Sequence, residues 1–290
     1  MTDKWAAWLM GRRDGGDPGV RRDHHPSLAG FRDGVLERAA VAEGDVVLDV
    51  GAGTGLIGFG ALDLVGATGR VIFSDVSGDL LAECRRQAGD DPRCSFVRAS
   101  ADDLAGIGDA SVDVVTTRSV LMYLPDKAAG FRELARVLRP GGRLAIFEPI
   151  NSFTVDRGRR LFGLDFAPIA DLADKVLAAY RGEEVMVDFD ERDLLRWAGE
   201  AGLTAIELDY RAEVEVPAPP LPADWDALRR TAPNPLAPTY QEAVDETLST
   251  EEAARFTAYA RNLIEKGAPR TTLMATAYLK AVKPGLPEVP

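Results

Sequence analysis

The chain has 290 residues, 46% hydrophobic and 28% charged, with 34 basic residues against 46 acidic ones for a net charge of −12; that length holds about two average domains, and the acidic balance argues against a nucleic-acid binder, which needs a basic face. Cys84 and Cys94 are too few for a disulfide framework and, with no histidine beside them, make no zinc site. No apolar run approaches the roughly 18 residues of a membrane span, and the opening MTDKWAAWLMGRRDGG has the wrong charge order for a secretory signal, so the expectation is a cytoplasmic protein without metal, nucleic-acid or membrane partners.

Residues 1 to 25 mix Gly, Arg and Asp and hold no sustained period. Pro26 and Ser27 then mark a helix start, with Leu28, Phe31, Val35 and Leu36 recurring at helical spacing. From residue 45 to 149 short apolar runs alternate with helix-length segments. The expected strands are 46–50, 70–75, 94–99, 113–118 and 143–149, and the expected helices are 56–65, 77–88 and 126–138. Such alternation means βαβ units and a parallel sheet covered on both faces. Beyond Pro149 the regularity lapses, apart from a helical candidate near IADLADKVLAAY. It returns with a helix over 190–203, where Asp190 suits an N-cap and Gly202 a stop. A strand over 204–216 follows, then a Pro-rich stretch. The Ser249-Thr-Glu-Glu252 capping box opens a helix, and 271–283 reads as a closing strand. The sheet begun at residue 46 is thus completed only near the end of the chain. The surplus length is insertion into one doubly wound α/β domain.

The informative stretch is Leu48-Asp49-Val50-Gly51-Ala52-Gly53-Thr54-Gly55-Leu56-Ile57-Gly58, between a strand and a helix. There backbone N–H groups and a helix N-terminus can receive a polar ligand, and glycines keep side chains out of its way. Gly53-Thr-Gly55-Leu-Ile-Gly58 matches the dinucleotide fingerprint G-x-G-x-x-G, and Asp75, about twenty residues on, suits a ribose. Asp49 separates the readings. A carboxylate at the end of the first strand adds repulsion to a pyrophosphate but suits a cationic ammonium, which S-adenosylmethionine (SAM) carries.

The order Asp49, Gly51, Gly53, Gly55, Asp75 resembles the class I SAM-dependent methyltransferases. SADDL (100–104), DVVTTRSVLMYLPD (113–126) and RVLRPGGRLAIFEP (136–149) are similar to that family's segments after the third strand, around the fourth and into the fifth. The nearest likeness is to small-molecule enzymes of the ubiquinone/menaquinone-biosynthesis type. The resemblance implies a Rossmann-like, mostly parallel seven-stranded sheet with an antiparallel last strand and helical lid insertions. Its segments are an N-terminal arm and helix over 1–44, a SAM-binding core over 45–149, a lid insertion over 150–189, a core helix and strand over 190–216, a Pro-rich helical insertion over 217–270 and a closing strand and tail over 271–290.

It also implies roles. Asp49, Gly51 and the Arg118 carbonyl lie at the methionine end of SAM, and Ala52, Gly53 and Gly55 allow close backbone approach. Asp75 accepts from the ribose hydroxyls or else caps the next helix. Val76 packs on adenine, Ala101 offers it an N–H, and Asp102 accepts from its amino group, since Ser100 stands where the family often has an acid. Methyl transfer is an in-line displacement needing no metal, and a base only if the acceptor atom arrives protonated. Candidate bases are His24, His25 and Glu148, with Tyr123 weaker; Glu148 could equally brace a loop. The substrate is a small organic molecule. Two further readings stay open, SAM-dependent chemistry other than methylation and a non-catalytic SAM-binding scaffold. Phe153, Phe162, Phe166, Tyr180, Trp225 and Tyr240 either line an apolar pocket or, preferably, pack a satellite core.

Overall fold

The computed structural model describes residues 3–154, 160–180, 184–219, 221 and 224–285, with the backbone only for residues 18, 19, 21–26, 154 and 184. The chain divides into two compact units. One comprises Ser27–Ser152, Val185–Arg211 and Thr276–Pro290, the other Met1–Pro26, Phe153–Glu184 and Ala212–Ala275.

The first unit is built on a seven-stranded sheet. Its principal elements are α1 (Pro18–Ala39), β1 (Val46–Val50), α2 (Leu56–Leu64), β2 (Arg70–Asp75), α3 (Gly78–Ala88), β3 (Cys94–Arg98), β4 (Val112–Arg118), α4 (Lys127–Val137), β5 (Leu138–Pro149), α5 (Glu191–Glu200), β6 (Thr204–Ala218) and β7 (Arg270–Val282). The strand order is β3-β2-β1-β4-β5-β7-β6. The pairs β1–β2, β1–β4, β2–β3 and β4–β5 are parallel, and β5–β7 is antiparallel, with Phe147 opposite Tyr278. This is the doubly wound arrangement expected. β1 and β4 are almost wholly buried because helices cover both faces, which is why valine and leucine predominate in them without a polar face in alternation. On one face Val35, Leu36, Ile57, Ala61, Leu81 and Phe73 pack together. On the other, Phe131 of α4 meets Trp197 of α5, ring centroids 6.1 Å apart.

Local chemistry sets the boundaries. The side chain of Ser77 accepts from Leu80 N and caps α3. Asp126 caps α4 through Ala129 N. Asp190 and Asp193 form a reciprocal capping box on α5, and Gly202 beyond it takes φ +78°, the left-handed stop expected of glycine. Two starts differ from expectation by five residues or more. α1 begins at Pro18 and runs through Pro26, because Asp17 accepts from Val20 N at 3.1 Å and a proline in the first turn forfeits no helical bond. β5 begins at Leu138 rather than 143, since Leu138 pairs with Val112 across an irregularity in the ladder.

Lys127, at the start of α4, is buried. Its ammonium donates to Leu124 O at 3.1 Å, Val185 O at 2.8 Å and Asp188 Oδ1 at 2.6 Å. It lies 5.2 Å from the Phe189 ring centroid. Three acceptors match the three donors of a lysine.

The second unit has its own core of Leu161, Leu164, Phe166, Leu172, Trp225 and Phe256. A two-stranded hairpin, Arg160–Leu161 with Leu164–Asp165, and the helices Ala170–Ala178, Trp225–Leu228, Tyr240–Thr247 and Thr250–Glu265 supply it. Capping boxes at Thr239/Glu242 and Ser249/Glu252 open the last two helices. Phe162, Phe166, Tyr180, Trp225 and Tyr240 pack in this core, while Phe153 is exposed. The aromatics are thus mainly satellite core. Arg12 pairs with Glu242. Among the described residues no helix is long and apolar enough to cross a membrane.

Candidate active site

The carboxyl ends of adjacent parallel strands are where open α/β sheets bind ligands, and here they gather most of the expected residues. β1 runs into a glycine loop whose Gly51, Gly53 and Gly55 take φ of +66°, +58° and +86°. Gly55 is the N-cap of α2. Two of these positions also exclude a side chain sterically. A Cβ on Gly51 would stand 2.2 Å from Val120 Cγ2, and one on Gly55 would stand 2.4 Å from the Phe59 ring. The loop is tied down by Ala52 N donating to Ser74 O at 2.9 Å and Gly55 N to Ala52 O at 2.8 Å. The Cys84 thiol donates to Gly53 O at 3.2 Å; burial and then the nearby Asp49 and Asp75 push its pKa up to about 12, so it serves as a thiol rather than a nucleophile.

Asp49 lies under this loop, fully buried. Its Oδ2 accepts from Gly58 N at 2.8 Å and its Oδ1 from Thr116 Oγ1 at 3.1 Å. Burial raises its pKa from 3.8 to about 7, against the lowering effect of those two hydrogen bonds. Asp75, ending β2, accepts from Gly53 N through Oδ2 at 2.9 Å and from Ser77 N through Oδ1 at 2.8 Å. It steadies both the glycine loop and the approach to α3, and Ser77 is the helix cap. Val76 beside it is an apolar side chain left 38% exposed, its carbonyl held by Arg98 Nε at 3.0 Å.

After β3, Ala101 is buried, Ser100 Oγ donates to Asp102 Oδ1, and Asp103 N donates to Ser100 O at 3.1 Å. Arg118 ends β4. Burial raises the pKa values of Asp49, Glu148 and Tyr278, and the charge of Arg118 opposes that rise in all three. Glu148, near the end of β5, is fully buried. Its Oε1 accepts from Val120 N and Leu121 N, each at 2.8 Å. Its Oε2 has no hydrogen-bond partner among the described residues, and burial raises its pKa from 4.5 to about 7. His24 and His25 lie on α1, and their side chains fall outside what is described.

Strand ends therefore bring together the glycine loop, Asp75, Val76, Ala101, Asp102, Arg118 and Glu148. The carboxylates Asp49, Asp75 and Glu148 outnumber the guanidiniums of Arg118 and of Arg98, the latter engaged on the Val76 carbonyl. That balance suits a cationic ligand bearing a diol and disfavours a pyrophosphate. Sequence reasoning missed Thr116 and Val120, and it read Gly58 as part of the fingerprint without its bond to Asp49. Thr116 did leave a signal, a hydroxyl in a strand, VDVVTTR, that is buried almost throughout. Val120 left none.

A family model described as a methyltransferase domain matches residues 48–146. The chain is 31% identical over 183 residues to a demethylmenaquinone methyltransferase of Clavibacter sepedonicus, covering 61% of this chain and 73% of that protein. It is 30% identical over 177 residues to a ubiquinone/menaquinone biosynthesis C-methyltransferase, UbiE, of Hahella chejuensis, covering 58% and 70%. Among solved structures, the YcgJ protein of Bacillus subtilis aligns with a TM-score of 0.55 at 17% identity, covering 91% of this chain and 100% of that one, a likeness of fold.

Proposed function

The chain belongs to the class I SAM-dependent methyltransferases acting on small molecules, and from that premise we propose how its residues divide the work and what it methylates. SAM supplies an electrophilic methyl group on a sulfonium. Asp75 receives the ribose hydroxyls at the end of β2, where it also holds Gly53 N and Ser77 N. Val76, apolar yet exposed, packs on the adenine; Ala101 N–H and Asp102 serve its edge. Gly51, Ala52, Gly53 and Gly55 present backbone to the ligand, and the Arg118 carbonyl faces the ammonium. Asp49 favours that cation through its charge while holding Gly58 N and Thr116 Oγ1. The observation that carries this reading is the glycine loop after β1 tied through Gly53 N–H to Asp75 at the end of β2.

The acceptor we infer is a carbon of an apolar ring compound. The support is the printed activity of the two relatives, one acting on demethylmenaquinone and the other a C-methyltransferase. A base is required only where the acceptor arrives protonated. A net charge of −12 supports a substrate other than nucleic acid, and two free thiols support a cytoplasmic location.

The test is calorimetric titration with SAM and its demethylated product, S-adenosylhomocysteine, with NADH as the control. Incubation with methyl-tritiated SAM and demethylmenaquinone, a catechol or a primary amine then follows. Binding of both sulfur ligands and label on the ring carbon are expected. Failure of both ligands to bind refutes the site; binding without label in any acceptor refutes the substrate class and favours SAM chemistry other than methylation.

A further inference from the structure

The turn after β4 is strained and is held from outside itself. Ser119 has φ +55°, a left-handed conformation that disfavours any residue but glycine. Its N–H donates to Phe147 O at 2.9 Å. The next two N–H groups, of Val120 and Leu121, converge on Glu148 Oε1. Val120, so placed, stands against the glycine loop, where the space a Gly51 side chain would need is filled by its Cγ2 and Cγ1, at 2.2 and 3.3 Å from a Cβ. The contacts form a short relay from β5 through the turn to the loop after β1.

We propose that Glu148 is a positioning residue for the methyl-donor site: by gripping the Val120 and Leu121 amides it seats Val120 against Gly51 and fixes the glycine loop. The inference rests on the reading of that loop as the SAM site. A carboxyl group with no exposed surface and one oxygen lacking a partner is a costly core residue, and an apolar side chain would fill the space at less cost. What it supplies is one oxygen with two lone pairs aimed at two successive N–H groups of a turn that would otherwise relax. The carbonyl of a glutamine can do the same.

Three variants separate the possibilities, Glu148→Ala, Glu148→Gln and Val120→Ala, each read by amide hydrogen exchange over 119–123 and 51–55 and by the calorimetric Kd for S-adenosylhomocysteine. Glu148→Ala is expected to speed exchange at Val120 and Leu121 and to raise Kd about tenfold, since a buried amide pair loses its acceptor. Glu148→Gln, retaining an acceptor, stays within about threefold on both readouts. Val120→Ala raises Kd about threefold with Leu121 exchange unchanged, because the grip is intact and only its transmission is cut. An unchanged Kd in Glu148→Ala despite faster exchange reduces the residue to a merely structural one and overturns the proposal. So does a Glu148→Gln variant as weak as the alanine, since charge would then be what matters. Should wild type itself fail to bind the ligand, the reading of the loop falls, and this inference with it. That result is recognisable because the exchange data still report the grip. If Glu148→Ala does not fold, the other two variants decide.

Discussion

Replacing Gly51 with alanine adds a single methyl group at the point where two loops meet. The residue has φ +66°, so alanine carries the left-handed penalty of about 1–2 kcal/mol. Its Cβ would also land 2.2 Å from Val120 Cγ2, and forcing such an overlap apart in a packed interior costs about 1–3 kcal/mol. The expected loss is therefore about 2–5 kcal/mol, a large part of the stability of an ordinary domain. Gly202→Ala supplies the control, because Gly202 has φ +78° with nothing within 4 Å of a Cβ and bears the conformational penalty alone. Urea unfolding of both variants, read as midpoint shifts at constant slope, isolates the steric part as their difference. The double variant Gly51→Ala/Val120→Ala should recover about 1 kcal/mol or more relative to additivity, since the two side chains share one space. Equal losses for Gly51→Ala and Gly202→Ala, or full additivity in the double variant, would refute the contact on which the loop geometry depends.

Asp49 and Glu148 both have pKa values raised to about 7 by burial; a cation bound near Asp49 favours its ionised form, so SAM affinity should fall as pH drops below about 7, with proton release in calorimetry, and a flat profile would count against the Asp49 charge reaching the ligand. For stability the same groups have the opposite effect. Their folded pKa values exceed the ordinary 3.8 and 4.5, so the native state binds more protons, and the stability they contribute at low pH is lost as pH rises to about 7. Asp75→Ala should weaken S-adenosylhomocysteine by about 2 kcal/mol, roughly thirtyfold, measured by calorimetry; an unchanged Kd would leave Asp75 only its turn-holding bonds. Lys127→Met leaves Asp188 and two carbonyls without their ammonium, at a cost of about 2 kcal/mol in urea unfolding, the half exposure of Asp188 keeping the loss moderate; a shift under about 0.5 kcal/mol would show that water replaces the lysine freely.

The parallel strands were legible because burial on both faces writes them as apolar runs punctuated by Gly and Asp, and β1 and β2 begin and end where the composition implies. Helix ends were legible where a cap stood in sequence, as at Asp190 and Ser249. Pro26 misled for the same reason: proline is a start signal, yet the first turn belongs to Pro18 behind Asp17. At the site, glycines and acids appear in the sequence because a loop's shape is local. The Thr116–Asp49 bond and the Glu148 grip on Val120 and Leu121 join residues 67, 28 and 27 positions apart, and no periodicity records such meetings. For Glu148 the sequence left both bracing a loop and acting as a base open, with bracing the preferred reading, and the bonds from two amides give that bracing its geometry.

The lysine at the head of α4 has a consequence in polymer terms. The sheet-bearing unit gives up the chain at Ser152 and takes it back at Val185, and the Val185 carbonyl is held by an ammonium that also holds Leu124 and Asp188. With the point of return pinned by a side chain from elsewhere in the unit, the intervening segment behaves as a closed loop on a fixed anchor, and doubling the length of such a loop costs only about 0.6 kcal/mol. Insertions and replacements between 153 and 184 are therefore nearly free as far as the strand register is concerned. The constraint on that segment comes instead from the second unit, whose core takes Leu161, Leu164, Phe166 and Leu172 from it.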